Sequence, residues 1–291
     1  VDPATILKLV LVLGIVLLVV AIGLRARPND TLVLVRRPEL AVRALLAMFV
    51  LQPAFVLLLV WMLDLRKGVG AALLGFAVAP VLPPWAKKAY AMGGATDYVI
   101  GLEVLATIAS VVVVPIMIVI VNVVFGVETA VAPWAVELML LVTIALPLAV
   151  GMGAGKFRPA TAPRLAFLAD RAGTLLLLLG GVVLLVARGR DIVAVTGRGT
   201  IVVSMLIIGF GLLMGHLIGG PDPDKRGALA SANVSRHPGV ALLLGSSALP
   251  EHVPAVTGAV LLYLVASMVV PIPYERWLKR TAGLGRPPTA T

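Results

Sequence analysis

Apolar runs long enough to cross a bilayer recur along the chain at about 5–24, 38–63, 68–91, 98–125, 132–154, 165–187, 199–218, 227–249 and 254–274. A membrane helix needs about 20 predominantly apolar residues to cross some 30 Å of hydrocarbon. None of these runs has the period-2 alternation of a membrane strand, and a helix satisfies all of its backbone groups within its own segment. The pattern therefore predicts an all-α membrane protein with nine transmembrane helices. Two of the nine are interrupted. "APVLPPWAKKAYAMGG" (Ala79 to Gly94) sets three prolines, two adjacent lysines and a glycine pair inside the third span, and "ASANVSRHPGVALLLGSS" (Ala230 to Ser247) sets polar residues, a proline and a glycine inside the eighth.

The interruptions carry the functional signal. Breaking a helix in lipid frees N–H and C=O groups at several kcal/mol each, so a break persists only where protein, water or ligand satisfies them. Spans three and eight lie five apart, and a repeat with an odd number of crossings sets its second copy upside down in the bilayer. Inverted repeats with one broken helix each, meeting at the midplane, are a plan of secondary transporters. The competing reading is a proline kink in either segment without further consequence. Glycines such as Gly180, Gly181, Gly211 and Gly215 suit close packing of membrane helices.

Composition supports the membrane reading, with 60% apolar and 13% charged residues and a mean hydropathy of +1.08. A net charge of +10 reads as topology, because basic residues collect on the cytoplasmic side. With the N-terminus outside, Lys8, Arg66, Lys67, Arg188, Arg190 and Arg198 face outward, Arg236 falls in mid-segment, and all the other Lys and Arg residues face the cytoplasm. This predicts a multi-pass protein of the plasma (inner) membrane with a cytoplasmic C-terminus. No basic domain or aromatic-interleaved patch exists for nucleic acid. The chain has no cysteine, which removes thiol chemistry and disulfides. No nucleophile elbow, HExxH, phosphate loop or paired carboxylates within a span point to an enzyme, and no cofactor is implied. "GAGKFRPAT" lacks the spacing of a phosphate loop and reads as a basic loop after a span.

Taken in order, "RRPELAVRALLAMFVLQPAFVLLL" (Arg36 to Leu59), the broken third span, "YVIGLEVLATIASVVVVPIM" (Tyr98 to Met117) and "SRHPGVALLLGSS" resemble the bile acid:sodium symporter family. The resemblance covers most of the chain and lies in order and spacing more than in residue identity. It implies a single transporter domain with a panel, here about 5–24 and 132–187, and a core, about 38–125 and 199–274, in which two broken helices cross. The family's first span has no counterpart here, and the tail from 278 to 291 reads as basic and disordered.

The resemblance also places candidate site residues. Setting Pro80 on the proline that opens the family's proline-glycine-glycine-threonine-alanine-serine-asparagine motif runs without a gap to Pro115, also a family proline. The family's serine and asparagine sodium ligands then fall on Trp85 and Ala86, and its two hydroxyl ligands on Val99 and Glu103. Anchored on Gly239, its glutamate falls on Ala232, and its glutamine and asparagine fall on Arg236 and His237. Sodium is a hard cation that requires several oxygens. Most of those oxygens are replaced, and no metal site is expected.

A guanidinium is expected to take the ion's place, with Glu103 and Arg236 paired at the crossing, since Arg and carboxylate match geometrically. The other readings are a Glu103 that lines a cavity beside a snorkelling Arg236, and a proton role for Glu103 or His237. Pro80, Pro84, Trp85, Lys87, Lys88, Glu103, Thr107, Asn233, Ser235, Arg236 and His237 form the candidate substrate-binding set. Lys87 and Lys88 are read either as attracting an anion or as interfacial anchors. Asp97 is positioned to cap the fourth span, Thr107 shares the face of Glu103, and Ser110 and Asn122 line the same span. His216 ends a span and His252 lies in an outside loop. The reading is a secondary transporter of a small organic anion working by alternating access without the family's sodium coupling, with the bilayer and the anion as its partners and a proton or sodium as the candidate coupling ions. A sodium-coupled symporter of bile-acid-like anions and a membrane receptor or scaffold that does not transport stand as alternatives.

Overall fold

A computed structural model describes residues 2–26, 33–82, 84–126, 133–197 and 199–281. Helix α1 covers Pro3–Arg25 and α2 covers Val33–Arg36. A third rod consists of α3 (Pro38–Leu45), a π turn (Leu46–Leu51) and α4 (Gln52–Met62). The first interrupted rod is α5 (Lys67–Val78) followed by α6 (Trp85–Ala91). Helix α7 runs Thr96–Phe125, and α8 (Pro133–Leu140), a second π turn (Leu141–Ala145) and α9 (Leu146–Phe157) form the next rod. Then come α10 (Ala162–Ala187), α11 (Gly189–Val195) and α12 (Thr200–Ile218). The second interrupted rod is α13 (Pro223–Val234) and α14 (Pro238–Ala248), followed by α15 (Val253–Val269) and α16 (Ile272–Thr281).

Among the described residues six helices are long and apolar enough to cross a membrane, or seven if the two limbs of α7, bent by 50°, count as one span. The all-α membrane architecture is therefore as expected. The two interrupted rods contribute only shorter apolar helices, so nine is not a count of intact spanning helices. Pro115 lies inside α7 just past the bend, and a proline removes one helical hydrogen bond and crowds the carbonyl four residues back. The basic tail expected from 278 instead begins as helix, since α16 continues to Thr281; residues 282–291 lie outside the described residues.

Both π turns have a proline two residues beyond their end, Pro53 and Pro147. At the first, the Gln52 N–H bonds back to Ala47 O in the five-residue register of a π turn. The carbonyl of Met48 thereby loses its ordinary partner, and the N–H one residue further on does not exist because it belongs to Pro53. One carbonyl is left for a tertiary partner.

Helix α1 packs against α9 and α10, and the outward faces of these helices carry exposed Ile6, Leu9, Leu168, Leu175, Leu179 and Val186, as lipid-facing surfaces do. Helix α5 is buried from Gly68 to Val78 and lies against α14 and α15, while α13 lies against α12. The contact of α12 with α13 depends on Gly215. A Cβ there would sit 2.3 Å from Ala230 Cα and 2.5 Å from Ala230 N. At Gly75 a Cβ would meet Ala241 Cα at 2.9 Å, which sets the approach of α5 to α14. Replacing Gly215 by valine forces backbone apart, and since overpacking a tight core costs about 1–3 kcal/mol, the variant is expected to unfold at a lower temperature in detergent. Gly181, beside which there is open space, serves as the control, and its alanine variant is expected to match the parent.

Candidate functional site where the interrupted helices meet

Both breaks are stretches of extended chain, and they run past each other. Helix α5 ends at Val78 and α6 begins at Trp85; α13 ends at Val234 and α14 begins at Pro238. Between them Val81 and Arg236 form an antiparallel bridge, with the Leu82 N–H donating to Ser235 O at 2.9 Å and the His237 N–H to Pro80 O at 2.9 Å. Two fractured helices thus satisfy part of each other's freed backbone. The expectation that the breaks are joined, rather than being separate proline kinks, is met.

The junction brings two helix C-termini together, and a helix C-terminus is a concentration of unsatisfied carbonyls and negative dipole. Arg236 supplies the donors. Its Nε donates to Asn233 O at 3.0 Å, its Nη1 to Ala79 O at 2.9 Å and its Nη2 to Met48 O at 2.6 Å. Asn233 is in the last turn of α13, Ala79 ends α5, and Met48 is the carbonyl orphaned by the first π turn and Pro53. The guanidinium also lies 5.5 Å from the centre of the Phe49 ring, a favourable place for a cation. The side chain is only 2% exposed, so it does not snorkel.

The expected Glu103–Arg236 pair is not formed. Among the described residues no ion pair joins them within 4 Å, and Arg236 spends its donors on carbonyls. Glu103, on α7 and also 2% exposed, instead accepts a hydrogen bond at Oε2 from the Trp85 indole Nε1. Its Oε1 has no hydrogen-bond partner among the described residues. Glu103 and Trp85, which the resemblance had placed on two different sodium ligands, do come together, as donor and acceptor.

The remaining candidates divide. Asn233 donates from Nδ2 to Gly211 O at 3.0 Å and ties α13 to α12. His237 is buried at the start of α14 with neither ring nitrogen bonded among the described residues. Pro80 and Ser235 contribute their carbonyls to the junction. The Thr107 hydroxyl donates to Glu103 O at 2.8 Å and Ser110 to Thr107 O at 2.6 Å, so both are bonded within α7. Ala86, Val99 and Ala232 are buried and offer no side-chain oxygen. Asp97 Oδ1 accepts the Tyr98 N–H at 2.7 Å within the first turn of α7, whose N-cap is Ala95 without a side-chain hydrogen bond, so Asp97 is not the cap expected of it. His216 Nδ1 lies 3.0 Å from the Tyr274 hydroxyl.

Lys87 and Lys88 point away from the junction. Lys87 Nζ lies 3.0 Å from Asp170 Oδ1 on α10 and also donates to the Thr174 hydroxyl. Lys88 Nζ lies 3.0 Å from Glu275 Oε1 on α16 and 3.2 Å from Ser267 O. Arg25 at the end of α1 is 3.8 Å from the same Asp170. Arg25, Lys87 and Asp170 line a crevice of about 10 Å³ together with Pro84, Ile22 and Tyr90, room for about one water. No group of three potential metal-ligating acids or histidines occurs among the described residues.

Sequence reasoning passed over Met48, Phe49, Gln52 and Asp170. Gln52 is buried and donates from Nε2 to Ile207 O at 3.1 Å, and its signal was a polar residue beside a proline in an apolar run. Met48 acts through its carbonyl, which any residue could offer, while Phe49 and Asp170 act through side chains whose partners are far away along the chain.

Broken helices joined back to back, with a buried guanidinium and carboxyl beside them, lie within a multi-pass membrane protein. The sodium bile acid symporter family model matches residues 12–196, and the chain belongs to that family. Comparison with curated proteins gives no match. The family match ends before α13, so the part played by Arg236 rests on the structure alone.

Arg236→Met keeps the volume and removes every donor, and Arg236→Lys offers one point charge in place of a fork. Each buried carbonyl left unpaired costs about 1–3 kcal/mol. Both variants are expected to unfold at a lower temperature in detergent, with methionine the worse. A methionine variant as stable as the parent would show that the three carbonyls do not depend on the guanidinium.

Proposed function

We propose that the protein is a secondary transporter that moves a small organic anion by alternating access, without sodium coupling. The observation that carries this reading is the backbone junction of 80–82 with 235–237, a fixed polar centre between interrupted helices of the kind around which transporters work. On this reading the two interrupted rods are the centres of inverted repeats. The core (α3 to α7 and α12 to α15) rocks against a panel of α1, α8, α9 and α10.

Independence from sodium is supported by the apolar side chains at Ala86, Val99 and Ala232 and by a guanidinium already seated against both helix C-termini. A mobile cation there would meet both charge repulsion and occupied carbonyls. The anionic class of the solute is supported by the family's name and by Arg25 and Lys87 at the crevice between α1, α6 and α10. Opening that crevice requires the Lys87–Asp170 pair to part, and surface pairs contribute only about 0–1 kcal/mol, so it is a weak closure suited to repeated opening. The sorting of charge to two ends supports the N-out topology. Arg25, Lys87, Lys88, Asp170 and Glu275 gather at one end, while Arg66 bonds Ala194 O and Arg188 pairs with Asp191 at the other.

Counterflow of labelled small organic anions, bile acids among them, into proteoliposomes tests the reading. Saturable accumulation is expected to persist when sodium is replaced by potassium. Strict dependence on sodium would overturn the sodium-independent reading, and saturable binding without accumulation would make the protein a receptor.

A further inference from the structure

Glu103 and Arg236 face one problem with different means. Arg236 keeps its charge because three carbonyls and an aromatic face surround it. Among the described residues Glu103 has one indole N–H on Oε2, nothing on Oε1 and no ion pair with a Lys, Arg or His within 4 Å. An ionised carboxylate removed from water loses several kcal/mol of hydration even after relaxation. One hydrogen bond to the ionised form, about 1.5–3 kcal/mol net, does not offset that. The group must therefore be neutralised by a bound proton or hold a cation.

The cations at hand are committed elsewhere. On α6, Lys87 is held by Asp170 and Thr174 and Lys88 by Glu275 and Ser267. Arg236 is held by Asn233, Ala79 and Met48. On α2, α3 and α5, which also pack on α7, Arg36, Arg43, Glu39 and Lys67 are exposed. α8 contributes Glu137 to the sequence of that rod. α14 contributes His237 at its N-cap, buried and unbonded, and α7 itself carries Asp97 and Tyr98, of which Asp97 is spent on its own helix end. A metal cation at Oε1 would need further oxygens, and no group of three potential metal-ligating acids or histidines occurs among the described residues.

We propose that Glu103 is a proton-binding site, with the proton carried on Oε1 while Oε2 keeps the Trp85 indole. Trp85 is the first residue of α6, so the helix that leaves the junction is latched to α7 through the protonatable group. Release of the proton leaves a carboxylate that must reach water or a cation, and its one side-chain partner among the described residues is the first residue of α6. The site thus ties a proton to the position of the first interrupted rod. As an account of coupling this rests on the transporter reading above, whereas the place of the proton does not, and the experiment reads the latter.

Infrared difference spectroscopy on the purified full-length protein, titrated with acid and base and repeated in deuterium oxide, provides the test. The parent is expected to show the C=O stretch of a protonated carboxylic acid near neutral pH, shifted by deuterium and lost at alkaline pH. Glu103→Gln is expected to lack this band and no other. Trp85→Phe, which leaves the acid in place and removes the indole N–H, is expected to keep the band at an altered frequency; it also serves if the glutamine variant does not fold. Absence of the band in the parent, or its persistence in Glu103→Gln, would overturn the proposal without touching the transporter reading. So would a carboxylate band at neutral pH that moves on adding sodium chloride in place of potassium chloride, which would make Glu103 a cation ligand.

Discussion

The structure depends on satisfying backbone carbonyls where two buried helices stop in the interior of a membrane protein. Helices end freely in water because water caps them, and in hydrocarbon every freed group costs several kcal/mol. This chain uses two devices. The extended breaks exchange two backbone hydrogen bonds with each other. One side chain then covers carbonyls on three separate segments, at Met48, Ala79 and Asn233. The fork of a guanidinium is what makes this possible, since its five N–H donors are set in one plane at fixed angles. The third rod, through its π turn, is bound into the same knot as the two interrupted rods.

Charge is handled separately at the two buried ionisable groups. A salt bridge between Arg236 and Glu103 would have compensated both, yet each finds its own neutral partner, carbonyls for one and an indole for the other. Truncating one member of a buried ion pair exposes the other's full desolvation cost, and that penalty is absent when the two are unlinked. Arg236 is therefore a fixed structural charge within the rods it joins. Glu103 lies on α7, at the contact with α6, and its state can change without unseating the junction.

Much of this was legible in the sequence. The apolar runs and the Pro and Gly content of 79–94 and 230–247 located both breaks, because prolines and polar residues inside a spanning run admit few other structures. The presence of a charge at 236, buried in the structure, was also readable inside its apolar run. The partner of that charge was not. A carboxylate can be seen in a sequence, so Glu103 was the visible choice for Arg236, whereas a carbonyl freed by a π turn belongs to whatever residue happens to stand there, here Met48. The sole sequence trace of it is Pro53, five residues on. Lys87 and Lys88 could be placed one turn past the break, but their direction depends on Asp170 and Glu275, which are 83 and 187 residues away along the chain.

A cation bound covalently differs from one bound from solution in what it can do for a transporter. A dissociable ion stabilises the site by an amount that rises with its concentration, and its gradient can therefore be turned into directed movement of solute. Arg236 cannot leave its site, so it holds the carbonyls together and conveys no gradient. If the chain moves solute uphill, the driving force must enter through a group that can be loaded and emptied. Among the buried groups beside the junction, Arg236 cannot be emptied. The hydroxyls of Thr107 and Ser110 have no charge to give up. Of the two that remain, His237 and Glu103, only Glu103 touches the helix leaving the first break. On the transporter reading, the same substitution pattern that removes sodium from the crossing thus moves the coupling chemistry a few residues along, to the carboxyl held by Trp85.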